Sequence, residues 1–395
     1  MKLFHSEIDK AKSSKDVLSV LSLLVFATLS SNAYVQRKYT SRTGQNQFFQ
    51  PSSNVQNERT KETTIEGIGR LTTSLLNDIH QQAGSQFNIV LSPLSIWTIL
   101  AMLLEGAGGK TELELKEKLN ATGRGPEDTR SYIRSRYREL HRLTKDKSGP
   151  TEFQSLNYVI SDKKLYPEFQ KTIEDHYDGK YFTYDQRKKS LFAIMVNGWA
   201  VDKSEGKLSS IVTPAMLDNL VLLVGNAVYF KSKWRIPFDP FDTISLPFKN
   251  EGGELIDNVP MMNLAGVFPL GYNTEFDFQI VEIPYADNST SMLIILPHEH
   301  VGLRRTLSAI RNRSLKEIIP INMSEETVQL SLPRFRIISK MYLNDILKQD
   351  LSTAFSSQTA EFPRMGNDVF VSWIYHKAEI DNTEEGTTAS AVTSE

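Results

Sequence analysis

The order of hydrophobic and polar residues along the chain predicts helices first and strands later. Two segments, IGRLTTSLLNDIHQQ (residues 68–82) and SPLSIWTILAMLLEGA (residues 92–107), repeat apolar side chains at helical spacing. In the second segment Ser92 is placed to cap the helix, and Pro93 follows in its first turn. Both segments are therefore predicted to be helices.

Strand patterns follow in the second half of the chain. The continuous apolar run LVLLVGNAVYF (residues 220–230) predicts a strand buried on both faces. FQIVEIPYA (278–286) and SMLIILP (291–297) also predict strands, and TVQLSLPRFRI (327–337) alternates as a half-exposed strand does. Helices that precede strands in this way favour the α+β class.

The N-terminal residues have a different pattern from the body of the chain. Several lysines precede the apolar stretch VLSVLSLLVFATL (residues 17–29), and Ser31 and Ala33 follow at cleavage offsets, so residues 1–33 are predicted to be a signal peptide. A retained signal anchor is the alternative, although the stretch is short for a membrane span. Residues 34–64 are polar and predict a disordered tail, and residues 65–395 are predicted to form one domain.

Composition limits the classes of partner. A chain of 395 residues with 40% hydrophobic residues can form a large core, so the absence of cysteine does not argue against secretion. The net charge of −2 gives no reason to expect nucleic acid or membrane as a partner, and we expect a monomer. Glycosylation sequons, which fit passage through a glycosylating compartment, occur at Asn120, Asn288, Asn312 and Asn322.

The sequence contains no complete motif of the common enzyme classes. EGAGGKT (residues 105–111) lacks the first glycine of a phosphate-binding loop, because Leu104 stands at that position. HEH (residues 298–300) lacks the helical spacing of a zinc site and is interpreted as a solvated loop. Since no activated nucleophile or ligand pattern is found, we expect neither an enzyme nor a metal or cofactor site.

Basic residues recur along one predicted helix, EDTRSYIRSRYRELHRLTKDK (residues 127–147). This arginine stripe consists of Arg130, Arg134, Arg138, Arg142 and Lys145. It is either an ordinary solvated face, since acidic residues are interspersed, or a site where guanidinium groups bind a sulfated polysaccharide that acts as an activator.

Six segments carry motifs that resemble blocks of the serpin family of protease inhibitors, in family order. They are SPLSIWTILAMLLEGAGGKT, VNGWAVDKSEGKL, VLLVGNAVYFKSKWRIPFDPFDT, VPMMNLAGVFPLGYNTEFDFQIVEIPYADNSTSMLIILP, LSLPRFRI and VSWIYHKAEIDNTEEGTTASA. Together they span nearly all of residues 65–395. The resemblance implies a single α+β domain with a large central sheet, two smaller sheets and surrounding helices.

The resemblance also explains the small, uncharged residues near the C-terminus. In serpins a protease attacks an exposed reactive loop, becomes covalently attached and is displaced as the cleaved loop inserts into the central sheet. An inserting strand places every second side chain in packed interior, so those side chains must be small and uncharged. The resemblance places the hinge of an inhibitory serpin at Glu384, Glu385, Gly386, Thr387, Thr388, Ala389, Ser390, Ala391 and Val392.

Two further sites match the family by motif. The polar cluster that controls opening of the central sheet matches Ser92, Ser95, Asn197 and His376, whose groups can exchange hydrogen bonds between two arrangements. Trp234 matches the aromatic residue where the inserting loop first enters the sheet. Without the resemblance, Ser92 is an ordinary helix cap, His376 a satisfied core histidine and Trp234 plain core packing.

By this resemblance the chain ends at Glu395 within the reactive loop, before the bond that a protease would cut. We expect the complete protein to be secreted and extracellular, and to form a covalent complex with a serine protease. A non-inhibitory serpin that acts as a carrier or storage protein is the alternative within the family. A polysaccharide-binding extracellular protein is the alternative from another class, and it rests on the arginine stripe alone.

Overall fold

The computed structural model describes residues 24–29, 54–84, 88–144, 150–251, 253–287, 290–320 and 322–388. Within those residues the α-helices are Asn54–Ala83 (α1), Pro93–Gly106 (α2), Gly109–Lys118 (α3), Pro126–Thr144 (α4), Pro167–Tyr177 (α5), Lys189–Lys203 (α6), Gly302–Ile310 (α7), Leu315–Ile318 (α8) and Asn344–Leu347 (α9). The strands are Leu24–Leu29 (β1), Glu152–Ser161 (β2), Gly179–Thr183 (β3), Leu222–Lys233 (β4), Ile244–Lys249 (β5), Leu255–Asn273 (β6), Phe278–Pro284 (β7), Thr290–Pro297 (β8), Ser324–Pro333 (β9), Phe335–Tyr342 (β10), Trp373–Asn382 (β11) and Gly386–Thr388 (β12).

The two helices predicted from apolar spacing are α1 and α2. Ser92 is the N-cap of α2, where its side chain accepts a hydrogen bond from the Ser95 N–H and Pro93 occupies the first turn, as predicted. From Ser95 to the end of α2 every residue is buried, so this helix lies inside the fold. It can therefore hold polar groups against the sheet.

The polar tail predicted for residues 34–64 overlaps α1, which begins at Asn54. The prediction of disorder is wrong for residues 54–64, and residues 34–53 lie outside those that the structure describes. Leu71, Leu75 and Ile79 anchor α1 in the core. Once a helix is nucleated, each further residue adds one hydrogen bond, so polar residues can extend it without burying apolar area.

The central sheet has the strand order β10-β11-β12-β4-β2-β3. Side chains alternate between its two faces. Val224 and Ile374 face the core around α2, whereas Leu223 and Tyr375, one position away, pack with Phe192 of α6 on the other face. The strand predicted at residues 220–230 is β4, which is buried on both faces over most of its length, as predicted.

The second sheet has the order β1-β8-β7-β6-β5, with β9 also paired to β6. Successive parts of the long strand β6 pair with β5, with β9 and with β7, so β6 joins what would otherwise be two smaller sheets. The strands predicted at residues 278–286 and 291–297 are β7 and β8. The predicted α+β arrangement of helices around sheets is confirmed.

One predicted strand, residues 327–337, is in fact two strands in different sheets. β9 ends at Pro333 and pairs with β6, whereas β10 begins at Phe335 and pairs with β11. Pro333 has no N–H to donate to a continuing ladder, which favours a break at this point. The alternating pattern identified the strand character but not the change of sheet.

Strand β1 lies within the predicted signal peptide. It runs antiparallel to β8, from Leu24 opposite Ile295 to Leu29 opposite Thr290, and so covers the edge of the second sheet. Cleavage after residue 33 would remove this strand. The signal peptide itself stays a prediction.

Candidate functional site at the central sheet

The predicted hinge begins inside the central sheet. Strand β12 lies between β4 and β11: Thr387 is opposite Ser232 of β4 and opposite Asn382 of β11. Beyond this short insertion β4 and β11 are direct parallel neighbours, from Trp373 opposite Leu223 to Ala378 opposite Val228. The sheet is therefore open at one end and closed along the rest of the β4–β11 boundary.

Gly386 is the first residue of β12, and its backbone lies against β4. A Cβ atom built at this position would be 2.1 Å from the Ser232 carbonyl oxygen and 2.7 Å from the Lys233 Cα. Both obstacles are backbone atoms that cannot rotate away. The glycine of the hinge is therefore required for close approach of two strands.

Thr387 is fully buried, and its hydroxyl is hydrogen-bonded to the hydroxyl of Tyr285 at 2.8 Å. The Tyr285 ring stacks on Trp234 with ring centroids 4.7 Å apart and an interplanar angle of 7°. Trp234 in turn donates its indole N–H to the Thr383 carbonyl at 3.0 Å. Trp234 thus lies where the hinge enters the sheet, at the position that the motif indicated.

Glu384 anchors the start of the hinge. Its side chain is buried, and the hydroxyl of Thr243 donates to its carboxylate at 2.9 Å, with Arg334 at 3.9 Å. The backbone carbonyls of Glu384 and Glu385 accept from the N–H groups of Phe238 and Trp234. The side chain of Glu385 is exposed. The two adjacent carboxylates therefore have different environments, and Glu384 is the one that fixes the hinge.

The remaining predicted hinge residues, Ala389, Ser390, Ala391 and Val392, lie outside the described residues. For Thr388 the structure describes the backbone, which forms the last residue of β12.

Three members of the predicted sheet-opening cluster meet beneath the sheet. The Ser92 N–H donates to Nε2 of His376 at 2.9 Å, and the Ser95 hydroxyl donates to the Ser92 hydroxyl at 2.8 Å. His376 is fully buried on β11, and burial lowers its pKa to about 3, so its ring is neutral near pH 7. These contacts tie α2 to β11.

Asn197, the fourth predicted member, does not join this cluster, and its assignment is wrong. On α6 its side chain pairs with the backbone of Val212, donating to the carbonyl at 2.8 Å and accepting from the N–H at 3.0 Å. Helix α6, which carries Asn197, packs on the opposite face of the sheet from α2. Asn197 therefore fixes the segment after α6 instead of the sheet centre.

The sequence reasoning missed Asn226, which is fully buried on β4 directly opposite His376. Its amide donates to Asn157 of β2 at 2.7 Å, so a polar row crosses three neighbouring strands. A single amide inside the apolar run of residues 220–230 was the signal that could have found it, because a buried polar group requires partners.

His376 and Asn226, which face each other in this row, each have one hydrogen-bonding atom without a partner among the described residues. Because His376 accepts at Nε2, its Nδ1 carries the hydrogen, and this donor has no partner among the described residues. The Oδ1 atom of Asn226 is an equally unpartnered acceptor within the same part of the chain. A donor and an acceptor therefore remain available on either side of the boundary that would open during insertion.

Lys377, next to His376 on β11, faces the other side of the sheet. Burial lowers its pKa, and its ammonium group donates to the carbonyl of Ser209 at 2.7 Å, in the segment between α6 and β4. This bond connects β11 to the layer that covers the sheet. It has to adjust if β11 moves away from β4.

The arginine stripe does not form a continuous surface. Arg130 is 1% exposed and bonds Glu112 at 2.9 Å and the Ala107 carbonyl at 2.7 Å. Arg134 forms a bidentate pair with the buried carboxylate of Glu105, with bonds of 2.8 and 2.6 Å. The prediction that Arg130 binds polysaccharide is therefore wrong, since its charge is used inside the fold. Arg134 is paired but remains partly exposed, so its assignment stays a prediction.

The rest of the stripe stays a candidate. Arg138 and Arg142 are exposed on α4, one helical turn apart, and Lys145 lies outside the described residues. Among the sequons, Asn120, Asn312 and Asn322 are exposed, whereas Asn288 lies outside the described residues. Exposure permits a sugar at these asparagines, and glycosylation stays a prediction.

The HEH segment forms local contacts with one carboxylate. His300 approaches Asp277 at 2.7 Å and His298 approaches it at 3.5 Å. In the part of the chain that the structure describes, no group of three or more potential ligands could hold a metal ion. Among the described residues, no helix is long and apolar enough to cross a membrane.

The sequence model of one protein family, described as Serpin (serine protease inhibitor), matches residues 66–395. The leukocyte elastase inhibitor of Sus scrofa is 31% identical over 319 residues, which cover 78% of this chain and 82% of that protein. The intracellular coagulation inhibitor 2 of Tachypleus tridentatus is 29% identical over 313 residues, with coverages of 77% and 75%. The crystal structure of Serpin48 from the insect Tenebrio molitor aligns with a TM-score of 0.72 and 26% identity, over 86% of this chain and 90% of that one.

Since the family match covers most of the chain, the chain belongs to the serpin family. The predicted resemblance to an inhibitory serpin and the predicted fold class are confirmed. Serpins as a class inhibit serine proteases and are not themselves enzymes.

Proposed function

We propose that the protein is a secreted inhibitor of serine-type endopeptidases that acts as a suicide substrate through insertion of its reactive loop. The observation that carries this proposal is the position of the hinge: Gly386 and Thr387 already occupy the boundary between β4 and β11, with Thr387 buried and uncharged. A charged or bulky hinge would have favoured a carrier or storage protein, because such side chains do not enter packed interior.

The chemistry of the proposed reaction follows that of serine proteases. The catalytic serine hydroxyl attacks the carbonyl of the scissile peptide bond, an ester bond forms, and the new amino terminus leaves. The freed strand then extends from Thr388 between β4 and β11. Insertion before water hydrolyses the ester displaces the attached protease from its working geometry.

Insertion is favourable because every added residue gains hydrogen-bonding partners on two sides. Residues 389–394 are small and uncharged, so their side chains can enter packed interior without leaving an unpaired charge. The direct β4–β11 pairing from Trp373 to Ala378 has to separate first. The unused groups of His376 and Asn226 lie at this boundary and can form new bonds once it opens.

The proposal is tested by incubating the protein, expressed from its own transcript, with trypsin-, chymotrypsin- and elastase-type proteases. We expect a complex that survives denaturing electrophoresis with at least one of them. Thr387→Arg should abolish the complex and convert the protein into a cleaved substrate, because a charge would enter the sheet. Glu385→Arg, a change of similar size at an exposed neighbour, should retain the complex. Cleavage without any complex would favour the carrier or storage function.

Secretion is a separate part of the proposal. It is supported by the apolar segment with cleavage-compatible small residues, while the name of the Tachypleus relative includes the word intracellular. Intact mass of the protein recovered from the medium of secreting cells should correspond to a chain that begins after Ala33. Recovery of a full-length chain only in the cytosol would contradict secretion and leave the inhibitory mechanism untouched.

A further inference from the structure

Helix α6 carries large apolar side chains on both of its faces. Its inner face packs Phe192, Ala193 and Val196 against the central sheet, as expected for a helix that covers a sheet. Its outer face carries Leu191 and Ile194, each 67% exposed, and Met195, which is 51% exposed. The inner face accounts for the packing of α6, so the outer face needs a separate explanation.

The outer apolar residues form a continuous stripe. Residues 191, 194, 195 and 198 are spaced by three or four positions and therefore share one side of the helix. Gly198 extends the stripe, and a Cβ atom at this position would meet nothing within 4 Å. A glycine there lets another helix approach closely. Single exposed apolar residues are common, but a stripe of this kind is typical of an interaction surface.

The ends of the stripe carry opposite charges. Lys188, just before α6, and Asp202, in its last turn, are both exposed, and in the part of the chain that the structure describes neither forms an ion pair. Met195 lies midway between them in sequence. A two-fold axis near Met195 would place Asp202 beside Lys188 of the partner subunit, and the reverse, while the apolar residues face each other.

We propose that the outer face of α6 binds a second copy of this chain, with the two α6 helices antiparallel. A self-complementary surface is what a two-fold dimer requires, and one charge of each sign at opposite ends provides it. A lipid surface would instead favour positive charge at both ends. The stripe is small, so the dimer is weak and depends on concentration, which differs from the expectation of a monomer.

Sedimentation velocity of the purified protein over a concentration series, up to about 300 μM, tests this proposal. The weight-average mass should rise toward that of a dimer. Ile194→Glu should keep the protein monomeric over the whole series. Leu113→Glu, which changes a 63% exposed leucine on α3, should dimerise as the unchanged protein does. A mass that stays monomeric at every concentration, or an equal effect of both substitutions, would overturn the proposal.

A charge exchange distinguishes the second copy from other partners. Asp202→Lys alone should weaken dimerisation by about threefold or more, and the double variant Lys188→Asp with Asp202→Lys should restore it. Restoration is expected only if the two charges meet across a symmetric interface. No restoration, or Ile194-dependent binding to vesicles of neutral and anionic phospholipid in place of self-association, would contradict a second copy as the occupant.

Discussion

Thr387 and Tyr285 are hydrogen-bonded to each other at 2.8 Å although both are fully buried and 102 residues apart in sequence. The bond connects the buried side chain of Thr387 in the hinge to the aromatic pair formed by Tyr285 and Trp234. The start of the predicted hinge is thus held by the body of the protein.

Tyr285→Phe should destabilise the protein by about 1–3 kcal/mol, because the Thr387 hydroxyl would remain buried without a partner. Burial raises the pKa of Tyr285, so its hydroxyl stays protonated and the effect should not vary between pH 6 and 9. Urea unfolding measures the change. Tyr272→Phe, at a tyrosine that is 53% exposed, is the control and should have almost no effect. Equal stabilities for the two variants would show that the hinge bond contributes nothing.

Gly386→Ala should displace the hinge from the sheet, since the added methyl group would lie 2.1 Å from the Ser232 carbonyl oxygen. Hydrogen exchange at the amide of Thr387 should accelerate by about tenfold or more, which corresponds to about 1.4 kcal/mol of lost protection. Gly125→Ala is a suitable control, because the nearest atom to its Cβ, the Asp128 carboxylate oxygen, is 3.6 Å away. Unchanged exchange in Gly386→Ala would mean that β12 tolerates a side chain at this position.

His376 should make the stability of the protein depend on pH. Its folded-state pKa of about 3 is below the ordinary value of 6.5, so below pH 6.5 the unfolded chain binds a proton that the folded chain does not. The resulting stability is present above pH 6.5 and is lost as the pH falls toward 3.

Between pH 7 and pH 5 this histidine should cost about 2 kcal/mol of stability. Urea unfolding of the unchanged protein and of His376→Gln at both pH values isolates the contribution, because the other titrating groups are common to both. The unchanged protein should lose more stability than the variant. Parallel losses would contradict a neutral, buried His376.

The sequence predicted the polar cluster in part. The family motif placed Ser92, Ser95 and His376 in the cluster, and the structure brings these three together. The same match assigned Asn197 and did not identify Asn226, because a linear sequence does not show which face of the sheet a residue occupies. The pairing of β4 with β11, which are far apart in sequence, decides that question.

The prediction of an exposed arginine stripe was partly wrong for a similar reason, because the sequence does not show which distant elements pack against a helix. Helical spacing correctly placed Arg130 and Arg134 on one side of α4, but burial depends on the elements that pack against that side. Glu105 and Glu112 come from α2 and α3, and their carboxylates turn two of the predicted surface cations into internal ion pairs.

Arg130→Met should therefore destabilise the protein by about 3 kcal/mol, because Glu112 would keep only Lys116 as a partner and the Ala107 carbonyl would lose its donor. Arg138→Met, at an exposed position of the same helix, should change the free energy of unfolding by less than about 0.5 kcal/mol. Chemical denaturation measures both. A small effect at Arg130 would contradict its structural role.

Within the described part of α4, the exposed members of the arginine stripe are Arg138 and Arg142. If a sulfated polysaccharide binds to α4, the double variant Arg138→Met with Arg142→Met should elute from a heparin column at clearly lower salt than the unchanged protein. The exposed pair Arg304→Met with Arg305→Met on α7 removes the same charge elsewhere and serves as the control. Equal elution of the two double variants would remove the case for a site on α4.

If inhibition requires β4 and β11 to separate, a reversible disulfide bond between these strands should prevent it, and this is the most direct test. Ala378 and Val228 are opposite each other on these strands, and the chain has no cysteine, so Ala378→Cys with Val228→Cys introduces one disulfide across the boundary. We predict that the oxidised protein is cleaved by its target protease without forming a denaturant-resistant complex, and that reduction restores the complex. Equal complex formation by the oxidised and reduced protein would contradict loop insertion between β4 and β11.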